Sequence, residues 1–163
     1  TFDRLAALPK VTIAEIEGHA LGGGLELALA CDLRIAAHHA KLGLPEAKVG
    51  LLPGAGGTQR LTALCGAGLA ARVILSGDLL DGREAERVGL VQWSAHAVDF
   101  AEVANGVASR AAGLSADAIA AAKICIRIAD RMSAEGAAAE IGGIGALMMK
   151  PSTEKRVADF LSR

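Results

Sequence analysis

The chain is 163 residues long and 52% apolar, which fits a single domain with a sizeable buried core. Seventeen basic and eighteen acidic residues leave a net charge of −1, and Phe2, Phe100, Phe160 and Trp93 are the whole aromatic set. That balance excludes a generalised nucleic-acid surface, and so few rings leave little on which single strands could stack. No apolar run reaches the roughly 20 residues that a membrane helix needs. Thr1–Lys10 lacks the basic-then-apolar order of a secretion signal. The reading is a cytoplasmic protein with neither a membrane nor a nucleic-acid partner.

Val11–Ile16 is apolar and β-branched and predicts a buried strand, with a loop at Glu17–His19. Gly22–Gly24 then opens a short helix over Leu25–Cys31, and Leu33–Ala37 returns as a strand. Strand, helix, strand implies a right-handed crossover and a parallel sheet. Short segments at Leu42–Glu46 and Val49–Leu52 lead into Pro53-Gly54-Ala55-Gly56-Gly57. Helices are expected at Thr58–Cys65 and Ala67–Leu75. Asp81 and Glu84 make a capping box for a helix over Arg83–Val88, with Gly89 placed to stop it. Leu90–Trp93 predicts another strand. Beyond about residue 95 the pattern is helical, at Val98–Ala112, Ala116–Arg131, Ala134–Met149 and Thr153–Leu161. The chain thus divides into an α/β part, residues 1–95, and a helical part, residues 96–163.

Cys31, Cys65 and Cys125 are odd in number and show no CxxC or Cys/His spacing. They read as buried, reduced thiols. His19, His38, His39 and His96 show no metal spacing either, so no metal site is expected. Neither Gly-rich run carries the spaced glycines of a dinucleotide fingerprint or the Lys-Ser/Thr of a phosphate loop.

Three features could carry chemistry. The run Gly22-Gly23-Gly24 at a helix start would offer backbone N–H groups and a favourable dipole to a ligand oxygen, including a developing oxyanion. The same run also suits a tight loop between closely packed backbones. Glu26 stands in an otherwise apolar helix, either on a solvated face or buried with a partner. Glu46 follows Pro45 and is either a surface-loop carboxylate or a second functional acid. Two carboxylates in one cleft can divide the work, one protonated and the other charged. Such a pair suits adding water across a double bond: one group takes a proton from water, and the other handles the proton at carbon.

The run Gly18-His19-Ala20-Leu21-Gly22-Gly23-Gly24-Leu25-Glu26-Leu27-Ala28-Leu29-Ala30-Cys31-Asp32 resembles the enoyl-CoA hydratase/isomerase, or crotonase, family closely. Leu42-Gly43-Leu44-Pro45-Glu46 continues the resemblance, as does Gly50-Leu51-Leu52-Pro53-Gly54-Ala55-Gly56-Gly57-Thr58-Gln59-Arg60-Leu61. It is strong over positions 9–93 and weak after position 133. It implies a crotonase-like spiral of ββα units, here incomplete at its N-terminal side, followed by a helical C-terminal region that builds homotrimers, often paired into hexamers. It also implies an acyl-CoA substrate, with coenzyme A part of that substrate and no separate cofactor. By motif position, Gly23 supplies an oxyanion-hole N–H to the thioester carbonyl. Glu26 orients and deprotonates water, Glu46 exchanges the proton at the α carbon, and Gly54 contacts the reacting water through its backbone. Having both carboxylates favours 2-enoyl-CoA hydration. The alternatives are 3-enoyl to 2-enoyl-CoA isomerisation and a non-catalytic acyl-CoA-binding or assembly subunit.

There are two departures from the family pattern. The family's earlier portion, including the loop that gives the other oxyanion donor, is not in this sequence, so Val11–Ile16 is expected to present an open edge. The tail reads Glu140-Ile141-Gly142-Gly143-Ile144-Gly145-Ala146, where each glycine weakens a helix by about 1 kcal/mol relative to alanine.

Overall fold

The computed structural model describes residues 2–128, 142–143 and 145–162. It divides into two compact units, Thr1–Ala111 and Ala112–Arg163. In the first, a short helix α1 (Phe2–Ala6) precedes the apolar run that forms β1 (Ile13–Ile16). β3 (Leu33–Ala37) lies parallel to β1, with Ile13 opposite Leu33, and β6 (Trp93–Ala95) lies parallel to β3 on its other side. Among the described residues β1 therefore has one neighbour and forms an edge, as expected. A second sheet has the order β2 (His19–Leu21), β4 (Lys41–Gly43), β5 (Leu80–Asp81). There β2 and β4 are parallel, while β4 and β5 are antiparallel.

Helix α2 (Gly23–Ala30) links the two sheets in sequence and buries Leu25, Ala28 and Leu29. Its C-terminal end is closed by Arg34, a buried arginine in β3. The guanidinium donates to the Cys31 carbonyl at 2.7 Å, the Ala28 carbonyl at 3.3 Å and the Leu90 carbonyl at 2.8 Å. A cation at the end of a helix matches the dipole there. Burial nonetheless pulls the guanidinium below its ordinary pKa, with Cys31, Cys65 and Asp32 opposing that shift.

The two helices expected after the Gly-rich loop are one element, α3 (Gly57–Leu75), broken at Gly66. There φ is 82° and ψ 160°, a backbone state that glycine accepts without a Cβ penalty. Half of the expected capping box is present: the Asp81 side chain accepts from the Glu84 amide at 2.9 Å at the start of α4 (Gly82–Arg87), while the Glu84 carboxylate turns to Arg72 and Arg87. Leu25, Ile35, Leu42, Leu44, Leu61, Val73, Leu80, Leu90 and Val91 are fully buried and make the core.

The strand expected at Leu90–Trp93 falls instead at Trp93–Ala95. Leu90 and Val91 are held in the turn after α4, where both amides donate to the Ala85 carbonyl. The helical tail was expected from residue 96, yet α5 (Phe100–Ala112) lies almost wholly in the first unit. Its Phe100, Ala104 and Val107 belong to the core cluster.

The second unit contains α6 (Ala116–Ile128) and α7 (Pro151–Leu161), with residues 142–143 and 145–148 also helical. The expected extension of α6 to Arg131 and the residues 134–141 of the next expected helix lie outside the described residues. Gly143 stands against Ala121, where an added Cβ would sit 3.7 Å from the alanine methyl. Lys150, the N-cap of α7, pairs with Asp117 in the first turn of α6. No helix of the described residues is long and apolar enough to cross a membrane.

Candidate active site

The pairing of β2 with β4 brings the two glutamates to one place. The strands are parallel and Leu21 lies opposite Gly43. Both chains therefore leave the sheet on the same side, where ligands of parallel sheets usually bind. From β2 the chain turns at once into α2. From β4 it passes through Leu44 and Pro45 into a 3₁₀ turn at Glu46–Val49. The Gly22 amide donates to the Gly43 carbonyl at 3.0 Å and fastens the two exits together.

Gly22 is the N-cap of α2, with φ 55° and ψ −126°. A Cβ at this position would lie 3.4 Å from Glu46 Oε1, so the Glu46 carboxylate stands beside the helix start. Its Oε2 is buried and has no hydrogen-bond partner among the described residues. A buried carboxylate oxygen without a protein partner is costly.

Glu26 lies in the first turn of the same helix, and its amide closes the first helical bond, to Gly22 O at 3.0 Å. It is 3% exposed, so the solvated-face alternative is excluded. Its Oε1 accepts from the Ala55 amide at 2.7 Å and from the Gly57 amide at 2.8 Å. Bonds of this kind to a carboxylate are about twice as strong as neutral ones, and they fix the side chain's direction. Gly57 is buried with no room for a side chain: a Cβ would meet Glu26 Cγ and Oε1 at 2.9 Å and Pro53 at 3.0 Å.

The amides of Gly23, Gly24 and Leu25 precede the first intrahelical bond and form the helix's open N-terminus. Gly23 and Gly24 are exposed, and a Cβ on either would meet nothing within 4 Å. The helix start is therefore uncrowded at Gly23 and Gly24, with Glu26 in its first turn and Glu46 beside Gly22. Gly54 is exposed at the head of the loop that reaches Glu26.

The sequence reading proposed neither Ala55 nor Gly57 as a contributor. A backbone amide has no side-chain signature, and only the paired glycines Gly56-Gly57 hinted at a close approach. A groove of about 430 Å³ runs along the exposed side of α2, lined by Leu5, Ile13, Ile16, Gly24, Leu27 and Ala28 among others. Neither carboxylate lines it. The three cysteines form no disulfide and are half-buried rather than buried as expected, and partial burial pushes Cys65 above its ordinary value against the opposing pull of Arg34. His38 and His96 pair edge to face, their centroids 4.3 Å apart. Among the described residues no group of three or more His, Cys, Asp or Glu is placed to hold a metal.

Glu26 in the first turn of α2 and Glu46 beside the start of that helix are held by parallel crossovers in a crotonase-like fold. The enoyl-CoA hydratase/isomerase family model matches residues 1–161, and the chain belongs to that family. Among named relatives, the mouse (Mus musculus) enoyl-CoA hydratase domain-containing protein 2, mitochondrial, is 51% identical over 124 residues, 76% of this chain and 41% of that protein. Human (Homo sapiens) methylglutaconyl-CoA hydratase, mitochondrial, is 45% identical over 125 residues, 77% of this chain and 36% of that protein. The chain spans about two fifths of the length of these curated relatives. Among solved structures, Pseudomonas aeruginosa DspI superposes with a TM-score of 0.93 at 41% identity, over 99% of this chain and 62% of that one. Enoyl-CoA hydratase from Bacillus anthracis gives 0.93 at 35% identity, over 99% and 63%.

Proposed function

We propose that the protein containing this chain hydrates 2-enoyl-CoA thioesters. The observation that carries the reading is the pair of carboxylates at the α2 start: Glu26 held by two amides, and Glu46 with a buried oxygen that is unpaired among the described residues. In this reading the thioester carbonyl oxygen accepts the Gly23 N–H, and that bond strengthens as enolate charge develops. Glu26 takes a proton from water as the water oxygen bonds to the β carbon. Glu46 delivers a proton to the α carbon, so that H and OH add across the double bond and no redox cofactor is needed. Gly54 contacts the water through its backbone.

Isomerisation needs only one carboxylate to move a proton between carbons. The firm hold on Glu26, a second and separately positioned acid, supports hydration instead. The names of the relatives support this, since the human protein quoted is a hydratase by name and the mouse protein is named for an enoyl-CoA hydratase domain. Assembly into a trimer or hexamer belongs to the proposal. Val49, Leu51 and Leu52 support it, being large, apolar and 66% or more exposed in the described structure. Cytoplasmic residence is the sequence-based reading, whereas both of those relatives carry "mitochondrial" in their names. Cell fractionation decides the compartment.

The test is to incubate the full-length protein with 2-enoyl-CoA and, separately, with 3-enoyl-CoA, following 3-hydroxyacyl-CoA formation by chromatography. Hydroxyacyl product from the 2-enoyl substrate is the expected result. Double-bond migration alone would defeat the hydratase reading, and no turnover of either substrate would favour a binding or assembly role.

A further inference from the structure

The loop Pro53–Gly57 is held from two sides. On one side its Ala55 and Gly57 amides converge on Glu26 Oε1. On the other side its intervening carbonyls are taken by a single residue of α3. Arg60 Nη1 donates to the Ala55 carbonyl at 2.8 Å, and the Arg60 amide donates to the Gly56 carbonyl at 2.9 Å. The N–H groups of Ala55 and Gly57 thus point toward Glu26, and the C=O groups of Ala55 and Gly56 toward Arg60. The guanidinium lies directly against bare backbone: a Cβ on Gly56, where φ is 99°, would fall 2.3 Å from Arg60 Nη1. Arg60 Nη2 also pairs with Asp3 in α1, but Asp3 is largely exposed and that pair adds little.

We infer that Arg60 is a positioning residue for the Glu26 carboxylate, acting through the Ala55–Gly57 peptides. This deepens the hydratase reading and rests on it for its effect on rate. Without the guanidinium, the Ala55 carbonyl loses the donor that orients it. The loop is then free to rotate, and the two amides no longer converge on one oxygen. Lysine would supply a donor but not the planar fork, and would restore the geometry only in part.

The experiment uses the full-length protein and its Arg60→Met, Arg60→Lys and Gly57→Ala variants, with thermal melts to confirm folding. Two readouts are taken: kcat and KM for hydration of 2-enoyl-CoA, and amide hydrogen exchange at Ala55 and Gly57 by NMR. Arg60→Met is expected to lower kcat about 10- to 100-fold, the scale of an ångström-sized misplacement, with KM within about twofold. Arg60→Lys should recover part of the loss. Arg60→Met added to Gly57→Ala should cost far less than it does alone, because both act on one carboxylate. Exchange at both amides should rise at least about tenfold in Arg60→Met while protection in β3 is unchanged. If Arg60→Met does not fold, Arg60→Lys decides, a selective fall in kcat supporting the inference. Unchanged exchange at Ala55 and Gly57, or wild-type kcat in a folded variant, would overturn it. A wild-type protein without hydratase activity would defeat the functional reading alone, since the exchange measurement still decides the role of Arg60.

Discussion

Gly57 and Glu26 are in such close contact that no other residue fits at position 57. The Gly57 amide donates to Glu26 Oε1 at 2.8 Å, and a methyl group on Gly57 would lie 2.9 Å from the same oxygen. Gly57→Ala must therefore move the carboxylate or the loop. Overpacking at a buried site costs about 1–3 kcal/mol, and displacing the carboxylate by an ångström costs about 10²-fold in rate. The expected outcome is a modest fall in Tm with a disproportionate loss of kcat. Wild-type kcat in this variant would show that Glu26 does not need its present position.

Arg34 is expected to be the costliest single side chain to remove from the first unit. Arg34→Met withdraws the donors serving the Cys31 and Ala28 carbonyls at the end of α2 and the Leu90 carbonyl after α4. Buried groups left unsatisfied in this way cost about 3 kcal/mol or more in total. Urea unfolding of the variant should show a lower midpoint with an unchanged slope. A midpoint equal to wild type would mean that other donors replace the guanidinium.

An acid titration should single out Glu84. Arg87 first, and then Arg72, hold its carboxyl at about 2. Arg87 makes two contacts, at 2.6 and 2.8 Å, and Arg72 makes one at 3.1 Å. The folded-state value lies below the ordinary carboxylate value, so this network's support for the fold is complete above about pH 4.5 and is lost as pH falls through about 2. The carboxyl carbon of Glu84 in an NMR titration should stay ionised to about pH 2, and Arg87→Ala should move it up. Titration near 4.5 in the wild type would contradict the geometry. The network is exposed, so added salt should weaken it.

The sequence was informative wherever a residue type leaves one backbone choice. The strand expected at Leu33–Ala37 is β3 with those bounds. Gly66 divided two helical patterns and sits at the break in α3. Asp81 caps α4 as its spacing to Glu84 implied. Elements of two or three residues were not legible, because alternation needs about four positions to show. His19–Leu21, whose first residue falls in the loop expected at Glu17–His19, and Leu80–Asp81 are strands through their pairing with Lys41–Gly43 alone.

The same division holds at the candidate site. Glu26 and Glu46 were named from the sequence because a carboxylate among apolar residues is conspicuous. Their association with one helix start follows from the β2–β4 register, which the nineteen residues between them conceal. The amides of Ala55 and Gly57 were invisible for a different reason, since donors that belong to every residue mark none. The cost of a side chain at Gly57 is what now identifies that contact.

The central claim is that Glu26 and Glu46 form an acid/base pair for adding water to an enoyl thioester. The most direct measurement is kcat for 2-enoyl-CoA hydration by the full-length protein and by its Glu46→Gln variant, which keeps the side chain's shape and removes its ability to exchange a proton. Loss of a general acid/base lowers the rate by about 10² or more, and that is the expected result, with the fold intact by circular dichroism. A folded Glu46→Gln variant that hydrates at the wild-type rate would contradict the claim.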